Sequence, residues 1–255
     1  MSVLKSIAIA FSMYSQIPVP QFAWEEKDMR YVLCFFPWVG IVIGLLFYGW
    51  GWICIRYQIG SVCASFVGAA IPLVISGGFH VDGFMDTMDA FHSYQPREKK
   101  LEILKDSHIG AFSVIMLVLY YLIYVGALSE VRTLRYTAVL AFGFFMARCL
   151  SGIGVVTFRS AKREGLLYTF ASGAQKWTVR VTLLLQFVLG AACMMWIAPV
   201  PGLVSVGVAL ASFAYFRVRS YRELDGITGD TAGYFVTICE AALAIAAAVC
   251  CVAGL

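Results

Sequence analysis

Seven apolar runs, uncharged but for Arg148 and Glu240, divide this chain at roughly residues 31–55, 59–79, 110–128, 136–157, 181–198, 203–216 and 233–253. A helix needs about 20 such residues to cross the hydrocarbon core of a bilayer. Five of the runs are ample and 181–198 is adequate. The 203–216 run is short and calls for Arg217 to snorkel to the interface. Pro199-Val200-Pro201-Gly202 lies between the last two of these and reads as a turn, so they form a tight transmembrane hairpin. The composition agrees: 61% of residues are hydrophobic and 13% charged, against about 25% charged in soluble domains, and the mean hydropathy is +0.82. The expected fold is all-α: a polytopic transmembrane bundle of about seven spans, one membrane domain over residues 1–255. Lys5 followed by Ile7–Tyr14, with no small-residue cleavage site, reads as an uncleaved amphipathic or re-entrant N-terminal helix.

Seven spans alternate sides, and the basic residues choose the orientation. With residue 30 in the cytoplasm, inside segments hold 15 of the 19 Lys and Arg and outside segments hold Arg56, Arg132 and Arg135, while Arg148 lies within a span. This asymmetry puts the chain in the cell membrane with residues 80–109, 158–180 and 217–232 cytoplasmic. The net charge of +4, with no basic stripe, gives no reason to invoke nucleic acid. The eight cysteines lie in apolar runs and form no C-x-x-C pair, which suits packing rather than disulfides or zinc.

Potential reactive groups concentrate in one segment, from Gly77 to Gly110. It holds four of the seven Asp and all three His. Asp82, Asp86 and Asp89 are spaced i, i+4, i+7, which puts them on one helical face, with Val81, Phe84, Met85 and Met88 filling the other. Like charges at that spacing repel. No Lys or Arg lies among them, so a divalent cation is expected to offset the repulsion, and hard oxygen ligands favour Mg²⁺, with Mn²⁺ as the alternative. His80 reads as an interfacial histidine, a phosphate contact or a proton carrier; His92 reads as structural. Arg97–Lys105 reads as a short surface helix, and Lys105 as either a snorkelling lysine or a phosphate contact.

Two other cytoplasmic loops carry candidates. The run Arg159-Ser160-Ala161-Lys162-Arg163 is basic, which fits the positive-inside bias or a phosphate-binding role. Leu224–Gly233 is Gly-rich and opens a span, where free N–H groups attract anions. Thr228 and Asp230 are candidates for substrate binding there, and Asp230 reads equally as an N-cap or a further metal ligand. Arg148 and Glu240 fall inside spans, where charges pair; they are expected to approach each other or share a polar cavity. Composition and spacing alone stop at metal-dependent phosphotransfer at a membrane interface.

The segment Gly78-Phe79-His80-Val81-Asp82-Gly83-Phe84-Met85-Asp86-Thr87-Met88-Asp89, followed by Arg97-Glu98 and Glu102–Gly110, resembles the signature of the cobalamin synthase family. Gln16-Ile17-Pro18-Val19-Pro20, Phe36-Pro37-Trp38-Val39-Gly40, Ala161–Leu166 and Thr228-Gly229-Asp230 with Gly233 and Glu240 resemble further motifs of that family, in the same order. Ala90, Asp225 and Thr237 depart from its pattern. The resemblance implies an adenosylcobinamide-GDP ribazoletransferase. A hydroxyl of α-ribazole, or of its 5′-phosphate, would attack the cobinamide-side phosphorus of adenosylcobinamide-GDP and release GMP. It also implies Mg²⁺ on Asp82, Asp86 and Asp89, with Asp106 or His80 orienting or deprotonating the hydroxyl and Lys105 and Arg163 on phosphate. Partners would be these substrates and the lipid bilayer, with a homo-oligomer left open. The alternatives are a CDP-alcohol-type phosphotransferase, whose Asp-Gly-x-x-Ala-Arg is missing at Asp82–Thr87, and an ion-coupled transporter using the aspartates as cation sites.

Overall fold

The computed structural model describes residues 3–20, 26–106, 108–162 and 166–255. Among these the regular structure is helical, without strands, and Ser160 and Ile227 form an isolated bridge. In chain order the elements are α1 (Val3–Tyr14), a 3-10 segment (Glu26–Cys34), α2 (Phe36–Arg56), α3 (Ser61–Ser76), α4 (Phe79–His92), α5 (Arg97–Ile103), α6 (Ala111–Glu130), α7 (Leu134–Thr157), α8 (Leu166–Gly173), α9 (Lys176–Ile197), α10 (Pro199–Leu224) and α11 (Gly229–Val252).

Among the described residues six helices are long and apolar enough to cross a membrane: α2 with the segment before it, α6, α7, α9, α10 and α11. The 59–79 run behaves differently from a plain span. Helix α3 stops at Ser76, and the chain bends by 95° into α4. Gly77 and Gly78 make the bend with φ of +64° and +79°, values that glycine adopts without a Cβ clash. Sixteen residues rise only about 24 Å, yet α3 still returns to the end of the bundle where α2 begins. There Phe36 of α2 and Phe79 of α4 both lie against His80, at centroid distances of 5.6 and 5.5 Å. The seventh traverse is therefore short, and Phe79 and the residues after it run across the end of the bundle.

The Pro-x-Pro-Gly expectation is corrected in the same way. The break falls at Ala198, and Pro199 starts α10 rather than preceding it. Proline suits the first turn of a helix, where its missing N–H has no partner to lose. Helix α10 is consequently 26 residues long and needs no snorkelling to reach across. The hairpin with α9 survives because Gly202 lies against the backbone of Met194 and Met195.

Helix α7 is the central element. It is apolar on all sides, as a helix enclosed by others must be, and it packs against α2, α9, α10 and α11. Against α2 the contact is backbone on backbone: a Cβ on Gly40 or Gly44 would run into the main chain at Phe144 or Ala141. Two glycines four apart are the usual means of close helix packing in lipid. On its other side α7 meets α11 through an ion pair, Arg148 Nη1 to Glu240 Oε1 at 2.7 Å. Arg148 is 1% exposed and also donates to the Phe144 carbonyl at 2.8 Å.

Helix α1 is held at the same end as α4. Lys5 pairs with Asp28 at 2.6 Å, the Gln16 N–H donates to the Ile75 carbonyl at 2.8 Å, and the Gln16 side chain covers Gly77. The glycine packing yields a test. Gly44→Leu is expected to lower the thermal unfolding midpoint in detergent, since overpacking of this kind costs about 1–3 kcal/mol or more. Gly49→Leu, on the same helix with nothing within 4 Å, should leave the midpoint unchanged.

Candidate active site

The elements that meet at this end of the bundle enclose a cavity of about 330 Å³. Its position follows from one close crossing. On α4, Gly83 faces the backbone of Asp230; on α11, Gly233 faces the backbone of His80. A Cβ at either glycine would be in contact at about van der Waals limits or closer, 2.8 Å for Gly83 and 3.2 Å for Gly233. Phe84 stacks on Tyr234 at 5.9 Å, and Thr237 Oγ1 donates to the His80 carbonyl at 3.1 Å. Thr237, one of the departures from the family pattern, is thus a clamp between the two helices.

This crossing sets the acidic face of α4 beside the start of α11. Asp82 and Asp230 both line the cavity. Asp86, one turn further on, feels both of them. Partial burial and the charges of Asp82, Asp230 and Asp89, only partly countered by Lys162, push its carboxyl up to about 6. The three aspartates of α4 therefore share their field with a fourth from a distant part of the chain. Asp89 lies to one side, its carboxylate against Gly110 at the start of α6.

The first turn of α11 is closed by its own residues. Thr228, not Asp230, is the N-cap: its side chain accepts from the Thr231 N–H at 3.2 Å, and Thr231 Oγ1 accepts from the Thr228 N–H at 2.8 Å. This reciprocal cap leaves the Asp230 side chain on the cavity, where it accepts from Thr228 Oγ1 at 3.3 Å. The basic loop is docked alongside. The Ala161 N–H donates to the Ile227 carbonyl at 2.8 Å and the Ile227 N–H to the Arg159 carbonyl at 2.9 Å. Ser160 and Lys162 are thereby fixed on the cavity wall beside Thr228.

The segment 77–110 divides at this point. His80 lines the cavity, is 5% exposed, and has no hydrogen-bond partner on either ring nitrogen. Asp106 does not line it. It is exposed and bonded to His108 Nδ1 at 2.5 Å, a contact that holds the Asp106 carboxyl below its ordinary range and His108 above its own. Lys105 is likewise exposed and away from the cavity lining. His92 is structural, with Nδ1 at 2.8 Å from the Met88 carbonyl. Arg163 lies outside the described residues. In the surface helix α5, Lys100 is buried and pairs with Glu223 at 2.5 Å, which fastens α5 to the end of α10.

The rest of the cavity was not signalled by any charge pattern. Tyr14, Phe36 and Phe79 form an aromatic wall beside His80, and Leu33, Leu104, Val155 and Leu167 complete the apolar lining. Ser151 of α7 closes the floor. Lys162 belonged to the basic run in the sequence, where nothing distinguished it from Arg163.

Whether the carboxylates suit a metal is decided by their chemistry and placement. All are hard oxygen donors. Among the described residues no three His, Cys, Asp or Glu side chains converge on one point. The pair of carboxylates on the cavity wall, Asp82 and Asp230, suits Mg²⁺, which takes one or two carboxylates and fills its shell with water and substrate phosphate. It does not fit a closed structural cage. The charge crowding has a measurable consequence. A carboxyl whose pKa rises on folding loses stability as pH climbs from its ordinary value, 3.8, to about 6, and the penalty is complete above that. Asp86→Asn is expected to raise the thermal midpoint of the metal-free protein at about pH 7.5 and to leave it unchanged near pH 4, where both side chains are neutral.

The chain was compared with known proteins. A model of the cobalamin-5-phosphate synthase family matches residues 6–248. A protein of Lachnoclostridium phytofermentans named adenosylcobinamide-GDP ribazoletransferase is 43% identical, over 93% of this chain and 90% of its own. Proteins with the same name from Clostridium perfringens strain SM101 and Listeria monocytogenes are 30% and 29% identical, covering 92% and 90% of this chain and 94% and 92% of their own. No solved structure matches. The match runs from α1 to the last turns of α11 and takes in every element that builds the cavity; the chain belongs to the cobalamin-5-phosphate synthase family.

Proposed function

We propose that this cavity carries out the ribazole transfer for which the relatives are named. A hydroxyl of α-ribazole, or of its 5′-phosphate, attacks the cobinamide-side phosphorus of adenosylcobinamide-GDP. The bond from that phosphorus to the bridging oxygen breaks, GMP leaves with the electron pair, and a phosphodiester forms. The observation that carries this reading is the meeting of Asp82 and Asp86 with Asp230 and Lys162 across the Gly83 crossing. A pyrophosphate is anionic: the carboxylates would attract it only through a cation they hold, and the lysine attracts it directly.

Asp82 and Asp230, the two carboxylates on the cavity wall, would hold Mg²⁺, with Asp86 and Asp89 adding negative charge behind them. The ion would offset charge on the departing phosphate. Lys162 contacts a phosphoryl oxygen as a point charge. We assign the proton of the attacking hydroxyl to His80, the cavity-wall imidazole whose ring nitrogens are buried and unpartnered; burial and the Arg148 charge lower its proton affinity, so it holds the proton only in passing. The apolar lining excludes water, which would otherwise compete with the sugar hydroxyl for the phosphorus. The positive-inside bias supports a cytoplasmic opening in the cell membrane, where nucleotide substrates are found. A transporter's cation site belongs near the bilayer midplane, whereas these aspartates lie at the end of the bundle.

The residues that left the site separate this reading from the sequence-based one. Lys162→Ala is expected to lower GMP release by about 10²-fold or more, the scale for loss of one group that stabilises developing charge. Lys105→Ala should stay near wild type. His80→Ala should be similarly impaired while Asp106→Ala retains activity. All four are measured in membranes supplied with adenosylcobinamide-GDP, α-ribazole and Mg²⁺. Chelation should abolish turnover, and added Mg²⁺ should restore it. Turnover that is unchanged by chelator, with the aspartates replaced singly by Asn and still active, would remove the metal from this account.

A further inference from the structure

The cavity has two chemically distinct poles, and the reaction has two substrates. The polar pole is Asp82, Ser160, Lys162, Thr228 and Asp230. The other, one turn back along α4, is aromatic. Tyr14 packs on Phe36 at a centroid distance of 4.3 Å and on Phe79 at 5.9 Å with the rings near perpendicular. Tyr14 and Phe36 are 8% and 3% exposed, while Phe79 remains 41% exposed. Two rings of the wall are thus set in the core and the third presents surface. His80 lines the same cavity, its ring against Phe36 and Phe79.

Resting on the transfer reading above, we propose that the wall formed by Tyr14, Phe36 and Phe79 is the subsite for the flat aromatic base of the acceptor nucleoside, with Phe79 as its specificity-determining residue. Three observations converge on it. The first is chemical: a planar heterocycle gains from stacking on aromatic rings, and the polar pole is taken by phosphate. The second is size. A volume of about 330 Å³ is at the small end of ligand pockets. It suits a nucleoside better than a corrin macrocycle with its side chains. The third is position. A base on the wall and a phosphorus among the aspartates leave the ribose beside His80, where its hydroxyl must be for transfer. The proposal also gives α1 and the Gln16 contact with Gly77 a purpose, because they hold Tyr14 and Phe79 in one surface.

The test separates the KM values of the two substrates. Base stacking is worth about 1–3 kcal/mol by alanine substitution, so Phe79→Ala is expected to raise the KM for α-ribazole about tenfold or more. The KM for adenosylcobinamide-GDP should stay within about twofold, and Phe79→Trp should restore the first value. If Phe79→Ala does not fold, Phe79→Leu keeps the packing and removes the ring, and the same split is expected. A rise confined to adenosylcobinamide-GDP, or weakened product inhibition by GMP, would assign the wall to the corrinoid or to guanine and overturn the proposal. Unchanged KM values for both substrates would overturn it as well. Direct titration of α-ribazole onto the purified protein keeps the two readings apart. Wild type that binds α-ribazole, with Phe79→Ala binding it weakly, supports the wall even if no GMP is ever released; that second outcome would sink only the transfer reading.

Discussion

The site depends on one contact, the crossing of α4 over the first turns of α11 at Gly83 and Gly233. Backbone meets backbone there, so no side chain can take up slack. The 95° bend at Gly77-Gly78 aims α4 at this crossing, and the two left-handed glycines make that bend possible. Once α4 is in place, its acidic face must lie against Asp230 and its first turn against Phe36 and Tyr14. The carboxylate cluster and the aromatic wall are therefore consequences of the same geometry. Bulk at either glycine would separate them by moving the helix as a body.

Like-charged carboxylates at this crossing repel one another, and something must keep the helices together against them. Beneath the crossing, Phe84 stacks on Tyr234, Thr237 clamps the His80 carbonyl, and the buried Arg148–Glu240 pair ties α11 to α7. A buried ion pair costs much of its attraction in desolvation, so its main effect is registry: removing either partner would strand a charge in the membrane interior. Lys162 and any bound divalent ion supply the compensation at the surface of the cavity. Without the ion, the strain shows as the elevated proton affinity of Asp86.

Several site residues were legible in the sequence because each had a local signal. Asp82, Asp86 and Asp89 share a helical face by spacing alone, and His80 lies at the head of that helix. Arg148 and Glu240 stood out as charges in apolar runs, and they meet at 2.7 Å. The errors arose where the chain's course outweighed composition. Asp106 and Lys105 are close to the aspartates in sequence but follow α5, which Lys100 and Glu223 fasten to the end of α10, and both side chains end up exposed. The prolines after Ala198 looked like a break and instead begin a helix, since a first turn needs no N–H from them.

What the sequence determined by itself was the all-helical membrane-type fold and the chemical kinds present, because apolar length and residue identity are properties of the chain taken in order. Tertiary structure alone decided which of those groups share a cavity. Asp230, Lys162, Tyr14 and Phe36 are separated from α4 by tens of residues or more, and no periodicity links them to it. Their convergence rests on glycines that let backbones touch and on a bridge between residues 160 and 227. The run from Gly77 to Gly110 holds the richest chemistry in the chain, but it makes half of a site. The other half arrives because α11 begins where α4 crosses.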